Sequence, residues 1–538
     1  MSNFPAPTDH DTVGCMRVRF SSIFQHVPSP ATLILGALVL VFYCSFLLHR
    51  IDLTVADLGR HLQNGRLALE EHIIPATNFY SYTEPDYPVV THHWGSGIAF
   101  FLAWKAGGFV GVQILFIIIS LATLAIIFGM ATIAAGPGPA AIVAALAVPL
   151  LAERTEIRPE AFSYLLAALF FLALTRFERT RNWYWLVVLP FLQVLWVNTH
   201  IYFFLGPVLI AIFFISHMLT RPFGRRAARL LGITELGTII ASFLNPFFIT
   251  GALAPFTIFE NYGYRIAENQ PVWFLETLMQ NPNFTIFKVL FGLLIASFIV
   301  RVWARGRERE IIPLAVIGVI ISVLGWLATR NFALFGFFFI VLAAYNISAC
   351  CSAWLIRRRV TLATAGGIFL ALLLVPALFG QWQKYFPHWR EAGLGLEQRN
   401  TGAADFFRTH DLHGPIFNNY DIGGYLIWHL YREEKVFVDN RPEAYPAQFF
   451  TGQYIPMQES DEVWQKALER WNFNSIFFSH RDATPWAQQF LIARVQDSAW
   501  APVYADQKIL IFLRRNEENK NVIARFEIPK SAFRTVAP

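Results

Sequence analysis

Charged residues are scarce in this sequence. Asp, Glu, Lys and Arg make up only 15% of its 538 residues, whereas 55% of the residues are hydrophobic. Because no soluble core hides so much apolar surface, the composition predicts a polytopic membrane protein that is mainly α-helical. Cysteine is scarce as well, with only Cys15, Cys44, Cys350 and Cys351. These residues lie in the N-terminal tail or in apolar runs, which argues against a disulfide framework and a cysteine-based metal site.

The N-terminal segment lacks the pattern of a cleaved signal peptide. Residues 1–30 are therefore interpreted as a cytoplasmic tail, and the first apolar run as an uncleaved anchor. The chain also lacks a basic domain of the kind that binds nucleic acid. Its net charge of +6 comes mostly from short arginine clusters between apolar runs. Such clusters set the orientation of membrane helices, so no nucleic-acid partner is predicted.

Apolar runs fill residues 31–380, which are interpreted as one transmembrane domain in contact with the lipid bilayer. About eleven runs are long enough to form membrane helices, some only with tilt or at partial depth. They lie near 31–49, 109–134, 138–152, 160–175, 184–197, 201–219, 230–249, 285–303, 311–329, 332–355 and 361–380.

Arginine clusters between these runs predict the orientation. They occur near residues 176–181, 221–229, 301–309 and 357–359, all on one side in this count of helices. By the positive-inside rule that side is cytoplasmic. The N-terminus is therefore expected inside, and the segment after residue 380 outside.

The longest polar interruption in the first two-thirds of the chain, residues 50–108, follows the first run and falls on the outer side. Asp57, His61 and Asn64 share one face at helical spacing, with leucines on the neighbouring face. This pattern predicts an amphipathic helix along the membrane surface, with a carboxylate at its start. A second amphipathic helix is predicted over residues 96–105 and is ended by Gly107 and Gly108.

Asp57 and His61 form the first candidate catalytic pair. A carboxylate accepts a hydroxyl proton in general base catalysis, and an imidazole one turn away tunes or shares that role. The alternative is an acid that only favours the start of a helix. His92, His93 and Trp94 follow in the same loop, either as ligands of a divalent metal or as interfacial residues without a role in binding.

Further candidates lie at the outer ends of predicted membrane helices. The guanidinium groups of Arg154, Arg158 and Arg330 would bind a phosphate. The alternative is a salt bridge to Glu153, Glu156 or Glu268. Asn198 and His200 lie in a very short outer turn, where they polarise a ligand hydroxyl or cap two helices. Polar groups concentrated on one face of a membrane suggest a shared cavity. The residues expected around it are Asp57, His61, Arg158, His200 and Arg330.

Hydrophobicity falls near residue 386, and residues 386–538 are predicted to form a small extracytoplasmic α/β domain. Strands are predicted near 415–418, 435–438, 474–479 and 508–513, with a helix that begins at Gly423 and another over 462–471. Segments 419–425 and 438–441 are interpreted mainly as structural turns, in which glycine permits a close approach of chains.

The order of several short motifs resembles a known family. Asp57, His61 and Gly65 match the pattern D-x-x-x-H-x-x-x-G. Matching pieces follow at Pro75, Thr77, 79–83, 92–94, 158–159, 196–200, 244–246, 330–331, 417–425 and 438–441. Together they cover nearly the whole chain after residue 51. The chain resembles bacterial polytopic proteins related to polyprenyl-phosphate-sugar-dependent glycosyltransferases of the GT-C fold, of the protein mannosyltransferase and aminoarabinose transferase type.

The resemblance implies an enzyme of the bacterial inner membrane that moves a sugar from a polyprenyl-phosphate donor to a periplasmic glycan, lipid or protein. It implies that Asp57 is catalytic, with His61 as its neighbour, and that the donor enters laterally between helices. Substrate-binding roles are expected for His92, His93, Trp94, Arg158, Asn198, His200 and Arg330. No cofactor is implied with certainty, and a divalent metal stays open.

Two other classes of function stay open. One is a transporter or flippase of a lipid-linked solute, although the sequence shows no repeat-related halves and few ionisable residues deep in the apolar runs. The other is a catalytically inactive scaffold, because two positions differ from the family pattern. Gly59-Arg60 stands where an aromatic pair is common, and His93 stands where an acid is common.

Overall fold

The computed structural model describes residues 29–55, 57–219, 225–257, 261–306, 308, 310–385 and 391–534. The expected cytoplasmic tail up to residue 28 and part of the arginine-rich loop 221–229 lie outside the described residues. Within the described part, helices dominate, and a four-stranded sheet lies near the C-terminal end. The predicted fold class, a helical membrane protein with a C-terminal α/β domain, is confirmed.

Helices from residue 30 to residue 378 make up the membrane domain. They are α1 (Pro30–Leu47), α2 (Leu58–Arg66), α3 (Trp94–Ala135), α4 (Pro137–Leu151), α5 (Glu160–Thr180), α6 (Tyr184–Thr199), α7 (Leu205–Leu219), α8 (Arg225–Ala241), α9 (Phe248–Thr257), α10 (Val272–Leu275), α11 (Pro282–Arg305), α12 (Ile311–Leu327), α13 (Phe332–Arg357) and α14 (Arg359–Leu378). Each of the eleven predicted apolar runs falls on a helix of this set.

The length of these helices separates them into two groups. In the described part of the chain, eight helical segments are long and apolar enough to cross a membrane. They are Pro30–Leu47, Trp94–Ala135, Pro137–Arg154, Glu160–Thr180, Ile201–Leu219, Pro282–Arg305, Thr329–Arg357 and Arg359–Leu378. The remaining three predicted runs correspond to α6, α8 and α12, which have only 16 or 17 residues. The sequence count of about eleven thus includes three helices shorter than a full span.

The tail domain, residues 391–534, contains the sheet and seven helices among its described residues. The strands are β1 (Ile416–Asn418), β2 (Ser475–Ser479), β3 (Trp500–Ala505) and β4 (Ile509–Arg514), in the order β1-β2-β4-β3. The helices are α15 (Gly402–Thr409), α16 (Gly423–Leu430), α17 (Ala447–Phe449), α18 (Pro456–Glu459), α19 (Asp461–Trp471), α20 (Pro485–Gln496) and α21 (Lys520–Phe526). β1 pairs with β2 in parallel, and the other pairs are antiparallel.

One predicted strand is wrong and another was missed. Residues 435–438 do not join the sheet, because Val436 pairs instead with the first loop: its N–H donates to the carbonyl of Tyr80 at 3.1 Å, and its carbonyl accepts from Tyr82 at 3.1 Å. The β-branched composition there marks extended backbone, but the pairing partner lies in the other domain. β3, which begins at Trp500, was not predicted from the sequence.

The first loop is folded between the two domains, and this corrects the prediction for its first helix. Sequence periodicity predicts α2 on a membrane surface, whereas every residue from Leu58 to Gly65 is buried. Glycine explains the difference, because α2 packs closely on both sides. A β-carbon at Gly59 would lie 2.4 Å from the carbonyl oxygen of Gly424 in α16.

The second predicted amphipathic helix is the first part of α3. The glycine break occurs where it was predicted, because Gly107 and Gly108 have non-helical backbone angles, with φ of −155° and 59°. A positive φ is accessible to glycine at little cost. The chain therefore turns at this point from the first loop into the membrane helix.

The tail domain is joined to the same end of the membrane helices as the first loop. Isolated backbone pairings connect His49 with Ala392 and Ile51 with Leu396. The ammonium group of Lys508 in the tail lies 2.7 Å from Asp52 and also contacts Glu397. The loops that the sequence places on one side therefore do share one end of the molecule.

Candidate active site

A cavity of about 1510 Å³ lies between the membrane domain and the tail domain. Its membrane-domain wall comes from the ends of helices, and its opposite wall comes from turns of the tail. Residues from both walls and from the first loop contribute polar side chains: Thr54, Arg154, Glu156, Arg158, Glu268, Arg330, Tyr420, Asp421, Arg481 and Asp482. Segments far apart in sequence thus build one polar chamber.

Arginines and glutamates form a connected network in the membrane-domain wall. Arg154 donates from Nη1 to Glu268 at 2.6 Å, and its Nε contacts Glu160. Arg158 donates to Glu268 at 3.0 Å and to Glu156 at 2.8 Å. Burial alone would raise the pKa of Glu268, but the neighbouring arginines lower it well below its ordinary value. Glu268 is therefore an anion at neutral pH.

Arg330 is the least fully paired arginine of this network. Its Nη2 is 3.5 Å from Glu160, its Nη1 donates to the side-chain oxygen of Asn269 at 2.8 Å, and its buried Nε has no partner among the described residues. Arg158, in contrast, already contacts two carboxylates. An anion entering the cavity would compete with one long carboxylate contact at Arg330 and with two carboxylates at Arg158.

Asp57 lies immediately before α2, at the side of the cavity. Its Oδ1 accepts from the side-chain amide of Asn440 at 2.7 Å, and its Oδ2 lies 3.3 Å from Nη2 of Arg60. Its side chain is 25% exposed, so solvent or a ligand can still reach the carboxylate. Asp57 is also close enough to Arg158 and Asp421 to interact electrostatically with both.

The histidines singled out from the sequence form one cluster. The ring of His93 lies 5.3 Å from that of His61, 5.3 Å from that of His200 and 3.8 Å from that of His92. In the described part of the chain, none of these four residues lines the cavity. The structure therefore places Arg158 and Arg330 on the cavity wall, Asp57 beside it, and His61 and His200 in a separate cluster.

Burial governs the protonation of this cluster. It lowers the pKa of His92 to about 4. It also lowers the pKa of His61, His93 and His200 well below 6.5. The four imidazoles are therefore neutral at pH 7, since the charged form loses its hydration when buried. They cannot supply positive charge to a phosphate.

Hydrogen bonds identify the tautomer of His200. Ser163 Oγ accepts the indole N–H of Trp196 at 2.7 Å and lies 2.7 Å from Nδ1 of His200. The backbone N–H of Tyr202 also points at this Nδ1, at 3.4 Å. Nδ1 is therefore the acceptor, and the neutral ring carries its proton on Nε2.

The side chains of Trp94 and Asn198 form a hydrogen bond with each other. The indole N–H of Trp94 donates to Oδ1 of Asn198 at 2.8 Å. The amide of Asn198 donates to the carbonyls of Val194 and Leu244 at 2.7 and 2.9 Å. With these contacts made, the pair fastens the start of α3 to the end of α6. Direct ligand-binding roles for both residues stay predictions.

A metal site is not evident from the geometry of these residues. In the described ranges, no group of three or more His, Cys, Asp or Glu side chains is arranged to hold a metal ion. The histidine cluster has close rings, but its members are buried against one another and do not converge with a carboxylate. The residues present thus do not fit the divalent metal left open by the sequence.

Two residues of the tail belong to this region, although the sequence patterns around them were interpreted as structural turns. Asn440 contacts Asp57, and Asp421 lines the cavity. Burial, with Asp482 and Asp57 nearby, raises the pKa of Asp421 to about 7. An acid next to a Gly-Gly turn, and an Asn between Asp and Arg, are the signals that could have drawn attention to them.

The architecture described above defines the class of the protein: it has the GT-C fold, in which membrane helices carry a folded first loop and a C-terminal domain on one side. No protein-family model matches the chain, and no curated protein matches its sequence. The class therefore rests on the three-dimensional fold.

Among solved structures, the chain is similar to the archaeal oligosaccharyltransferase AglB from Archaeoglobus fulgidus, in complex with an inhibitory peptide and a dolichol-phosphate. The TM-score is 0.61 at 12% identity, over 93% of this chain and 75% of that one. A structure of the A. fulgidus oligosaccharyltransferase with Zn and sulfate gives a TM-score of 0.53 at 12% identity, over 90% of this chain and 73% of that one. ArnT from Cupriavidus metallidurans, bound to undecaprenyl phosphate, gives 0.48 at 12% identity, over 92% of this chain and 99% of that one. Identity this low establishes the fold, and function must be argued from the site.

Proposed function

We propose that this protein is an integral membrane glycosyltransferase that moves a sugar from a polyprenyl-phosphate donor to an acceptor at the cavity beside Asp57. The observation that carries the proposal is an accessible carboxylate beside a cavity that is lined by an arginine network and lies between apolar helices and the tail domain. A lipid-linked sugar needs both surroundings, because its chain requires hydrocarbon while its phosphate and sugar require polar groups.

The proposed reaction is a displacement at the anomeric carbon of the sugar. As an acceptor hydroxyl or amine forms its bond to that carbon, its proton passes to the carboxylate of Asp57. The bond between the anomeric carbon and the phosphate oxygen breaks, and its electron pair leaves with the polyprenyl phosphate. The 25% exposure of the Asp57 side chain leaves room for the acceptor to reach this base.

Arginine stabilises the leaving phosphate in this proposal. Arg330 is the first candidate because its Nε has no partner among the described residues and its Nη2 contact with Glu160 is long, at 3.5 Å. Arg158 would join only after release of Glu156 or Glu268. Preorganised cations near a developing negative charge lower the barrier of such a step, since they need no rearrangement during it.

The remaining candidates have supporting roles. The four neutral histidines would pack together at the base of the first loop and donate or accept hydrogen bonds. They are His61, His92, His93 and His200. Trp94 and Asn198 would hold α3 and α6 in register. No group of metal ligands is present among the described residues, and the proposed reaction is written without a metal. A. fulgidus oligosaccharyltransferase was crystallised with Zn and sulfate, so a test of metal dependence belongs with the assays.

The proposal places the protein in a bacterial inner membrane, with its N-terminus in the cytoplasm. The tail domain, the first loop and the acceptor would lie in the periplasm. Arginine clusters at one end of the helices support this orientation. A phosphatase fused after the tail should be active, whereas a reporter that needs the cytoplasm should be inactive at the same position.

Mass spectrometry of the purified protein tests the donor class. A bound polyprenyl-phosphate sugar is expected, and the same lipid should transfer labelled sugar to an envelope extract. Transfer should fail with Asp57→Asn, which keeps the size of the side chain and removes the proton acceptor. The expected loss is about 100- to 10,000-fold in rate. Asp86→Asn, an exposed change in the same loop, is the matched control.

Three outcomes would contradict the proposal. Wild-type transfer by Asp57→Asn would show that the aspartate is not the base. Movement of labelled lipid across proteoliposomes without sugar transfer would favour the transporter. Binding of the lipid with neither activity would favour the scaffold.

A further inference from the structure

Asn440 reaches from the tail domain to Asp57 in the first loop. The two residues are 383 positions apart, and the amide Nδ2 of Asn440 donates to Oδ1 of Asp57 at 2.7 Å. The carbonyl Oδ1 of the same side chain accepts from Nε of Arg60 at 3.4 Å. Asn440 therefore contacts both members of the Asp57–Arg60 pair.

Each oxygen of the Asp57 carboxylate has a different donor. Oδ1 is held by Asn440, and Oδ2 lies 3.3 Å from Nη2 of Arg60. Rotation of the carboxylate would break both contacts, so the plane of the group is defined. The amide orientation follows from the same network, because the reverse orientation would turn its carbonyl oxygen towards the carboxylate.

The segment that carries Asn440 is itself fixed to the first loop. Arg441 and Asp439 form a buried ion pair, in which Nη2 of Arg441 lies 2.6 Å from Oδ2 of Asp439. The same guanidinium donates to the side-chain oxygen of Asn78 at 2.6 Å and lies over the ring of Tyr80. Residues on both sides of Asn440 thus prevent it from moving away from Asp57.

We propose that Asn440 is a positioning residue for Asp57, through which the tail domain orients the base of the transfer reaction. This inference rests on the proposed function of Asp57. Asn440 acts through Asp57 and is not assigned a contact with substrate. The hydrogen bond from Asn440 fixes one oxygen of the carboxylate, so its loss leaves the base less well aligned with the acceptor.

Transfer from an undecaprenyl-phosphate-linked [³H]hexose to an envelope extract measures this effect. Asn440→Ala should lower kcat by about 10- to 100-fold, the range expected for a lost hydrogen bond to a charged group. KM for the donor should change little, because the donor phosphate is held elsewhere. Asn440→Gln, which retains an amide, should recover part of the rate.

The pH profile separates positioning from a purely structural role. In Asn440→Asp the side chain has the same size but places a second carboxylate against Asp57. The acid limb of the pH–rate profile should therefore move to higher pH, since like charges disfavour ionisation. Melting temperatures measured on the same preparations show whether each variant is folded.

Asn400→Ala is the matched control for loss of a contact between domains. Asn400 also lies in the tail and donates to a first-loop aspartate, Asp52, at 3.0 Å. Its replacement should lower thermal stability without moving the acid limb of the profile. If Asn440→Asp and Asn400→Ala moved the acid limb equally, the effect would come from loss of domain contact in general, and the inference would be wrong.

A double substitution distinguishes this inference from the proposed function. With Asp57→Asn already present, Asn440→Ala should have little further effect on the rate, because coupled residues are not additive. A wild-type rate in Asp57→Asn alone overturns the proposed function. A strongly impaired Asp57→Asn beside a folded Asn440→Ala with wild-type kcat and pH profile overturns only the role of Asn440.

Discussion

Gly65 and Gly97 face each other where α2 crosses α3. A β-carbon on Gly65 would lie 2.1 Å from the carbonyl oxygen of Gly97, and one on Gly97 would lie 2.8 Å from the carbonyl of His61. Such distances leave no room for a side chain at either position. The glycine that ends the D-x-x-x-H-x-x-x-G motif therefore brings the backbone of α2 against the start of α3, and with it His61 against His93.

Gly65→Ala is expected to destabilise the protein, because the new methyl group meets backbone and cannot be accommodated by a side-chain rotation. Overpacking of this kind costs about 1–3 kcal/mol, and more where backbone must move. Gly129→Ala in α3 is the control, since a β-carbon there meets nothing within 4 Å. Thermal unfolding in detergent should show a lower Tm only for Gly65→Ala. An equal Tm for both would mean that the two helices separate easily.

Arg330→Ala is expected to weaken binding of the donor or stabilisation of its leaving phosphate. The variant removes a cation and leaves Asp57, the proposed base, intact, so the effect should differ from that of Asp57→Asn. Binding of a polyprenyl-phosphate lipid should fall with Arg330→Ala and survive with Asp57→Asn. The opposite pattern would place the phosphate away from Arg330.

The buried histidines should make the fold less stable as the pH falls below about 6.5. In the folded protein the pKa of His92 is about 4, below the ordinary 6.5. Between these values the unfolded chain binds a proton that the folded chain does not, so the free energy of unfolding decreases as the pH decreases. The loss is at most about 1.4 kcal/mol per pH unit for each such histidine.

Thermal unfolding between about pH 7.5 and pH 5 measures this dependence. His92→Gln should make it less steep. Glu268 affects the free energy of unfolding in a lower pH range, because its pKa is lowered below the ordinary 4.5. The stability that it provides is lost only as the pH falls below about 4.5. Constant stability across pH 5–7.5 would contradict the neutral cluster.

Arg441→Ala is expected to be strongly destabilising. Its partner Asp439 is fully buried, and an unpaired buried carboxylate costs about 3–5 kcal/mol. Arg408→Ala is the comparison, since the Arg408–Asp405 pair is exposed and such pairs contribute less than about 1 kcal/mol. Chemical denaturation of the two variants should differ clearly. A small effect of Arg441→Ala would show that the segment around it relaxes and admits water.

Periodicity and composition predict most of the membrane domain. Long apolar runs have few alternatives to helices, because hydrocarbon leaves no other partner for backbone groups. The break at Gly107 and Gly108 is also predicted from the sequence, because the conformational freedom of glycine is a property of the residue itself. What periodicity cannot predict is the partner of each face. Helix α2 has the pattern of a surface helix, yet α16 of the tail covers the face that water or lipid would otherwise contact.

The candidate site shows the same division. Asp57, Arg158 and Arg330 could be selected because ionisable groups at helix ends are unusual. Salt bridges to Glu156 and Glu268 were the alternative to phosphate binding, and the structure contains them. Asn440 could not be selected, since its distance from Asp57 in sequence says nothing about their distance in space. For the same reason residues 435–438, which have the composition of a strand, pair with Tyr80 and Tyr82 across the domain boundary.

The contact between Asp57 and Asn440 also has a consequence for the order of events during synthesis. Asp57 leaves the ribosome 383 residues before Asn440. At 5–20 residues per second that interval lasts roughly 20–80 s. During it the nascent chain has its first membrane helices but lacks Asn440, the residue proposed to orient Asp57. Expression of a chain truncated before residue 438 should therefore give a membrane-inserted protein that does not consume lipid-linked sugar, so that partly made copies do no chemistry in the envelope.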